Sequence, residues 1–244
     1  MARTASTESR DRLAALRAQA EARLLACLRL MEAGVNIVDP ATTYVGAGVS
    51  VGAGTTINPN STIAGDSAVG ERCRIGPNAV IIDSRLGDDC LVVASVLEGA
   101  VLEAGADVGP FSHLRPGSYL EAGVHVGNFV EVKNSRLGRG VKVGHFSYVG
   151  DARVGADVNI GAGTVTCNYD GVAKNETLIE DGAFIGSDTM LVAPVRIGRG
   201  ASTGAGSVVT SDVPAGAQVM GMPARPVKGA DRPGRRRAKG QVQD

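Results

Sequence analysis

The stretch VLEAGADVGPFSHLRPGSYLEAGVHVGNFVEVK, Val101–Lys133, carries a large aliphatic residue at every sixth position: Leu102, Val108, Leu114, Leu120, Val126 and Val132. The same period runs backward through Val45, Val51, Ile57, Ile63, Val69, Ile75 and Ile81. It runs forward through Leu137, Val143 and Val149, then Val154 and Ile160, then Ile179, Ile185, Leu191 and Ile197. The fourth residue after each aliphatic is small or β-branched, as at Thr55, Cys73, Ala106, Ser118, Val130, Ser147 and Thr189, and the next residue is often Gly. Calling the aliphatic i, residues i−2 and i point one way on a short strand, while i−1 and i+1 point the other. A six-residue unit buries nothing alone, but stacked units bury a continuous aliphatic core. Three such units close one triangular coil, so residues eighteen apart stack about 4.8 Å from each other. The expected fold is an all-β solenoid, a parallel β-helix of hexapeptide repeats over residues 41–215 with roughly nine coils. Glycine at i+1 is read as easing a sharp corner. A β-sandwich would need sustained period-2 alternation with regular turn signals, which the chain lacks.

The rest of the composition fits this core. Among 244 residues there are 34 glycines and no Trp, aromatics make up 3%, and hydrophobic residues reach 43%. Twenty-five basic residues balance 25 acidic ones, which excludes a chain-wide basic field for nucleic acid. No apolar run approaches the length of a membrane span, and the polar start, Met1–Arg12, lacks the apolar segment of a secretory signal. Cys27, Cys73, Cys90 and Cys167 form no CxxC pair and read as reduced thiols of a cytoplasmic protein, with Cys73 and Cys90 as core filler.

Three steps shorten to five residues, Ile81 to Leu86, Val132 to Leu137 and Val149 to Val154, and the stretch from Val92 to Gly99 has no clear phase. Between Thr166 and Ile179 the period breaks into a polar excursion with an Asp170-Gly171 turn. Loops leaving a solenoid usually carry function. Residues 1–40 read as a helix and linker. Leu13, Leu16, Ala20, Leu24, Leu28 and Met31 share one helical face, suited to cap the open first coil. Residues 216–244 read as a C-terminal segment with a basic tail, seven cations against two acids after Pro223.

Coil arithmetic then gathers candidate functional residues. Arg115 and Lys133 occupy successive i+1 slots and stack outward, two cations that repel unless an anion such as phosphate lies between them. Tyr148 points out of the same face. His145 sits at the corner leading into it and stacks under Ala162; if the excursion rejoins in phase, Ser187 and Ala205 continue that column. The result is a corner groove of small residues beside one histidine, suited to a narrow acyl-carrier arm. Asn159 points outward on the strand before that corner. His113 and His125 lie on other faces, which disfavours a three-His zinc site within one chain. Cys167 opens the excursion, but nothing in the sequence supplies the base that a nucleophile there would need.

The strings Arg115-Pro-Gly, GVHVGNFVEVKNSRLG (Gly123–Gly138), GHFSYVGDA (Gly144–Ala152), VNIGAGTVTCNYDG (Val158–Gly171) and GSDTMLVAP (Gly186–Pro194) closely resemble the C-terminal half of the bifunctional N-acetylglucosamine-1-phosphate uridyltransferase/glucosamine-1-phosphate acetyltransferases. The resemblance is dense from about Leu102 to Val213. It implies a left-handed β-helix, a homotrimer with active sites between subunits, and acetyl transfer from acetyl-CoA to glucosamine 1-phosphate without a metal, in UDP-N-acetylglucosamine and cell-wall precursor synthesis. By the same resemblance His145 is the general base. Arg115, Lys133, Tyr148, Asn159, Asn168, Tyr169 and Lys174 meet the sugar phosphate or position the base, and Ala162, Ser187 and Ala205 line the acetyl-CoA groove. Two departures stand out. The family's uridyltransferase half has no counterpart here. An Arg that the family sets near the CoA phosphates falls at Met222, leaving Arg225 or Lys228 to substitute. A transferase acting on a nucleotide-linked amino sugar, and a non-catalytic hexapeptide scaffold, are the competing expectations.

Overall fold

The computed structural model describes residues 7–226; the basic tail beyond Pro226, with Lys228, lies outside them. A helix, Thr7–Glu32, is followed by short strands of two to four residues that wind into a left-handed parallel β-helix. Every third strand joins the same sheet, giving sheets of 12, 10 and 9 strands that form the faces of a triangular prism. The first face begins at Asn36–Ile37 and passes through His125–Asn128, Lys142–His145 and Asn159–Ile160. The second carries His113–Leu114, Glu131–Lys133, Tyr148–Gly150 and Val165–Cys167. The third carries Arg136–Leu137, Ala152–Val154 and Thr177–Ile179.

Register follows the six-residue period. Leu114 pairs with Val132, Val132 with Val149, and Val143 with Ile160. Where the period shortens, the partner is nearer in sequence. The unphased stretch resolves this way: Leu97 pairs with both Ile81 and Leu114, so Val92, Leu97 and Leu102 are successive core residues separated by five-residue steps. The inward aliphatics, among them Ile57, Ile81, Leu114, Leu137 and Ile185, are fully buried. Most buried i+4 hydroxyls bond backbone carbonyls, as Ser112 Oγ donates to Gly127 O at 2.6 Å; Thr177 Oγ1 is an exception, buried without a hydrogen-bond partner among the described residues.

Several glycines at i+1, such as Gly52, Gly161 and Gly186, serve close approach rather than turning, whereas Gly76 and Gly109 at the same slot have φ of 83° and 113°. A Cβ on Gly186 would stand 2.6 Å from Thr203 O and 2.7 Å from Ala205 N, all backbone of the next coil. The left-handed turn falls two residues later, where Gly163 has φ 75° and Phe146 φ 49°.

The helix caps the first coil, but not through the face its periodicity selects. Leu13, Leu16, Leu24, Leu28 and Met31 remain exposed, while Ala26 and Cys27 are buried against the coil with Leu30 packed beside them. Small side chains let the helix axis approach the coil end; a leucine row would hold it off. Among the described residues no helix is long and apolar enough to cross a membrane.

Candidate active site

The corner between the first and second faces is a single column. Phe146 N donates to Asn128 O (3.1 Å), Gly163 N to His145 O (3.3 Å), Asp188 N to Ala162 O (2.6 Å) and Gly206 N to Ser187 O (2.8 Å). The excursion therefore rejoins in phase, and Asn128, His145, Ala162, Ser187 and Ala205 stand one above another. His145 is exposed at the end of its strand. Its Nδ1 meets Asn128 Oδ1, while Nε2 makes no hydrogen bond to any described residue. Above it the column carries only small side chains. The N–H of Ala162, in that column, donates to no described residue. Beyond Ala205 the first sheet ends in an antiparallel hairpin, Gln218–Gly221 with Ala224–Pro226. Arg225 lies there, exposed, with its guanidinium donating to Ala224 O at 3.2 Å.

The second face holds the cations. Arg115 and Lys133 occupy successive outward slots as the spacing requires, but no missing anion separates them. Glu131, the outward residue at i−1 on the Lys133 strand, already pairs with Arg115 at 2.8 Å and strengthens its hold on the proton. The partner that crowds Lys133 is instead Lys174, from the excursion. Contact with Lys133 and its charge lower the Lys174 pKa, with desolvation adding to the effect. Tyr148 folds its ring over Gly150, where a Cβ would stand 2.5 Å from the ring carbon bearing the hydroxyl, so the phenol fills the slot above Lys133.

The excursion, residues 168–176, is organised by two aspartates. Asp170 accepts from Val172 N (2.8 Å), Ala173 N (2.7 Å) and Asn175 Nδ2 (2.8 Å), which draws its pKa down to about 2. Tyr169 and Lys174 bridge across the turn, and the Tyr169 hydroxyl donates to Gly171 O at 2.7 Å, with the ring exposed. Asp151, at the coil corner below, anchors the whole segment: it accepts from Asn168 Nδ2 at 2.5 Å and from Asn134 Nδ2 at 2.6 Å, and Thr177 N donates to its carbonyl at 3.1 Å. Burial alone would raise the Asp151 pKa; the two amides and the Lys133 and Lys174 charges outweigh it and hold it low. Asn168 is buried, 7% exposed, and turned inward to Asp151 and Tyr148.

Geometry thus joins Lys133, Tyr148, Asn168 and Lys174 around Asp151, with Arg115 one coil below. His145 stands across the second face from them, and Asn159 lies on the first face between Lys142 and Phe184. Sequence reasoning missed Asn128, Glu131 and Asp151, although each sits one coil from a chosen residue. It also missed a ladder of exposed phenyl rings beside the His145 column: Phe111 on Phe129 (centroids 5.4 Å) and Phe129 on Phe146 (5.2 Å). Cys167 is half-buried and burial pushes its thiol up, away from nucleophilic use. His113 pairs with Glu98 and His125 with Asp107, on separate faces, and no three His, Cys, Asp or Glu side chains converge as metal ligands among the described residues.

Three six-residue units to a coil, glycine-tight stacking and a small-residue corner column define a hexapeptide-repeat β-helix. Residues 48–83 and 176–211 match the bacterial transferase hexapeptide (six repeats). The chain is similar to proteins named Bifunctional protein GlmU: that of Thermotoga maritima is 50% identical over 76% of this chain and 42% of its own length. That of Heliobacterium modesticaldum is 54% identical over 82% of this chain and 44% of its own length. The chain thus spans less than half of these curated relatives. Among solved structures, the UDP-N-acetylglucosamine acyltransferase of Campylobacter jejuni shares the fold, with a TM-score of 0.52 at 15% identity over 79% of this chain and 74% of that one.

Proposed function

We propose that the chain is a glucosamine-1-phosphate N-acetyltransferase that uses acetyl-CoA. The observation that carries this reading is the column above His145: a free imidazole nitrogen at the foot of a groove of small side chains, beside a face bearing Arg115, Lys133 and Lys174. The likeness to GlmU proteins supports the same reaction. In this reading the phosphate of the sugar binds Lys133, Lys174 and Arg115, displacing part of the Glu131 contact, with Tyr148, Asn159, Asn168 and Tyr169 against the sugar. His145 Nε2 takes a proton from the ammonium group. The amine attacks the thioester carbonyl, the C–N bond forms, the C–S bond breaks, and the CoA thiolate leaves and takes up a proton. The Ala162 N–H faces the developing oxyanion, and Ser187, Ala205 and Arg225 line the path of the CoA arm.

Within one chain the cation cluster and His145 lie on opposite sides of the second face. A homotrimer, with the excursion of one subunit reaching the His145 corner of the next, closes that gap. This is the assembly we propose, acting in the cytoplasm. The test is free-thiol release from acetyl-CoA with glucosamine 1-phosphate, run beside unphosphorylated glucosamine and a nucleotide-linked amino sugar, on wild type and His145→Ala. Release with the sugar phosphate alone, cut about a hundredfold or more in His145→Ala, supports the reading. Release only with the nucleotide-linked sugar, or undiminished turnover without His145, overturns it.

A further inference from the structure

We propose that Asn128 is a positioning residue that fixes the tautomer of His145, holding the proton on Nδ1 so that Nε2 is the basic nitrogen. A neutral imidazole is a donor at one ring nitrogen and an acceptor at the other, and the partner at one nitrogen decides which. For His145 that partner is the Asn128 side-chain oxygen, an acceptor only, so Nδ1 must carry the hydrogen. Nε2 then has its lone pair free, and it makes no hydrogen bond to a described residue.

The contact is built by the solenoid. Asn128 and His145 are register partners on adjacent strands, His125–Asn128 and Lys142–His145, and Phe146 N bonds to Asn128 O at 3.1 Å. The residues that follow them, Phe129 and Phe146, stack their rings at 5.2 Å with planes 8° apart, which keeps the two corners aligned. The chain also supplies its own contrast. Its other two histidines are paired with carboxylates, His113 with Glu98 at 2.8 Å and His125 with Asp107 at 2.6 Å. A carboxylate brings a charge to such a contact; an amide oxygen orients the ring as a neutral acceptor. Of the three histidines, His145 is the one whose side-chain partner is an amide.

That His145 acts as a base rests on the proposed function; that Asn128 sets its tautomer does not. The test is two-bond ¹H–¹⁵N correlation spectroscopy of the full chain above the histidine titration range, with the His145 signals assigned from His145→Gln. Wild type is expected to show Nδ1–H at His145. Asn128→Ala, and the bulk-retaining Asn128→Leu, are expected to move it to Nε2–H, and Asn128→Asp to keep Nδ1–H. In turnover, Ala and Leu are expected to lower kcat about tenfold or more with little change in either KM, and Asp to recover part of it. An Nε2–H tautomer in wild type, or an unchanged tautomer in both Ala and Leu, overturns the inference. So does a kcat loss that Asp shares in full. A wild type with Nδ1–H that transfers no acetyl group overturns the proposed reaction and leaves the role of Asn128 standing.

Discussion

Replacing Asp151 with Ala should detach the excursion while leaving the prism intact. Asp151 is the acceptor for Asn168 Nδ2 at 2.5 Å, and Asn168 is only 7% exposed. Without the carboxylate that amide keeps one long bond, to the Tyr148 hydroxyl at 3.4 Å. A buried donor left without an acceptor costs about 1–3 kcal/mol. Loss of a counter-charge between Lys133 and Lys174 acts in the same direction. The open population of residues 168–176 should therefore rise roughly 5- to 150-fold. Limited trypsin digestion reads this directly, because Lys174 is the one basic residue in that segment. Cleavage after Lys174 should accelerate by that factor while the melting temperature of the β-helix changes little, and KM for glucosamine 1-phosphate should rise with it. Acid should imitate the substitution. The Asp151 pKa is held below its ordinary value of 3.8 and that of Asp170 lies at about 2, so both contribute fully above about pH 4. Their anchoring is lost as pH falls through those lowered values. Unchanged cleavage at Lys174 in Asp151→Ala would refute the anchoring argument, because nothing else in the described residues accepts the Asn168 donor at short range.

Three further outcomes follow from the same geometry. Arg115→Ala should raise KM for the sugar phosphate about tenfold, the worth of one charge-assisted contact; steady-state kinetics showing an unchanged KM would move the phosphate to Lys133 and Lys174 alone. Gly186→Ala should cost about 3 kcal/mol by overpacking, since its Cβ would meet Thr203 O at 2.6 Å and Gly204 C at 2.8 Å; thermal melting beside wild type measures it, and an unchanged melting temperature would mean the coils can part. Cys167→Ser should keep full turnover, and wild type should resist inactivation by iodoacetamide at pH 7, because burial raises the thiol pKa; rapid inactivation reversed by the serine variant would restore Cys167 to the site.

Much of this protein is legible in one dimension. A strict six-residue period sets coil, register and face together, so counting along the chain was enough to stack Arg115 on Lys133 and His145 under Ala162. Even the excursion could be bounded, because it is where the count fails. What counting could not decide is which side chains reach sideways or across a coil. Glu131 turns to Arg115, Lys174 folds back to Lys133, and Asp151 gathers two amides. These pairings depend on rotamers and on the path of a nine-residue loop with no period of its own. The helix makes the same point. Its periodicity marks the leucine row, but the narrow coil end accepts Ala26 and Cys27. A period tells which residues share a face; only the packed structure, through close approach and the need to satisfy each buried donor, decides what that face touches.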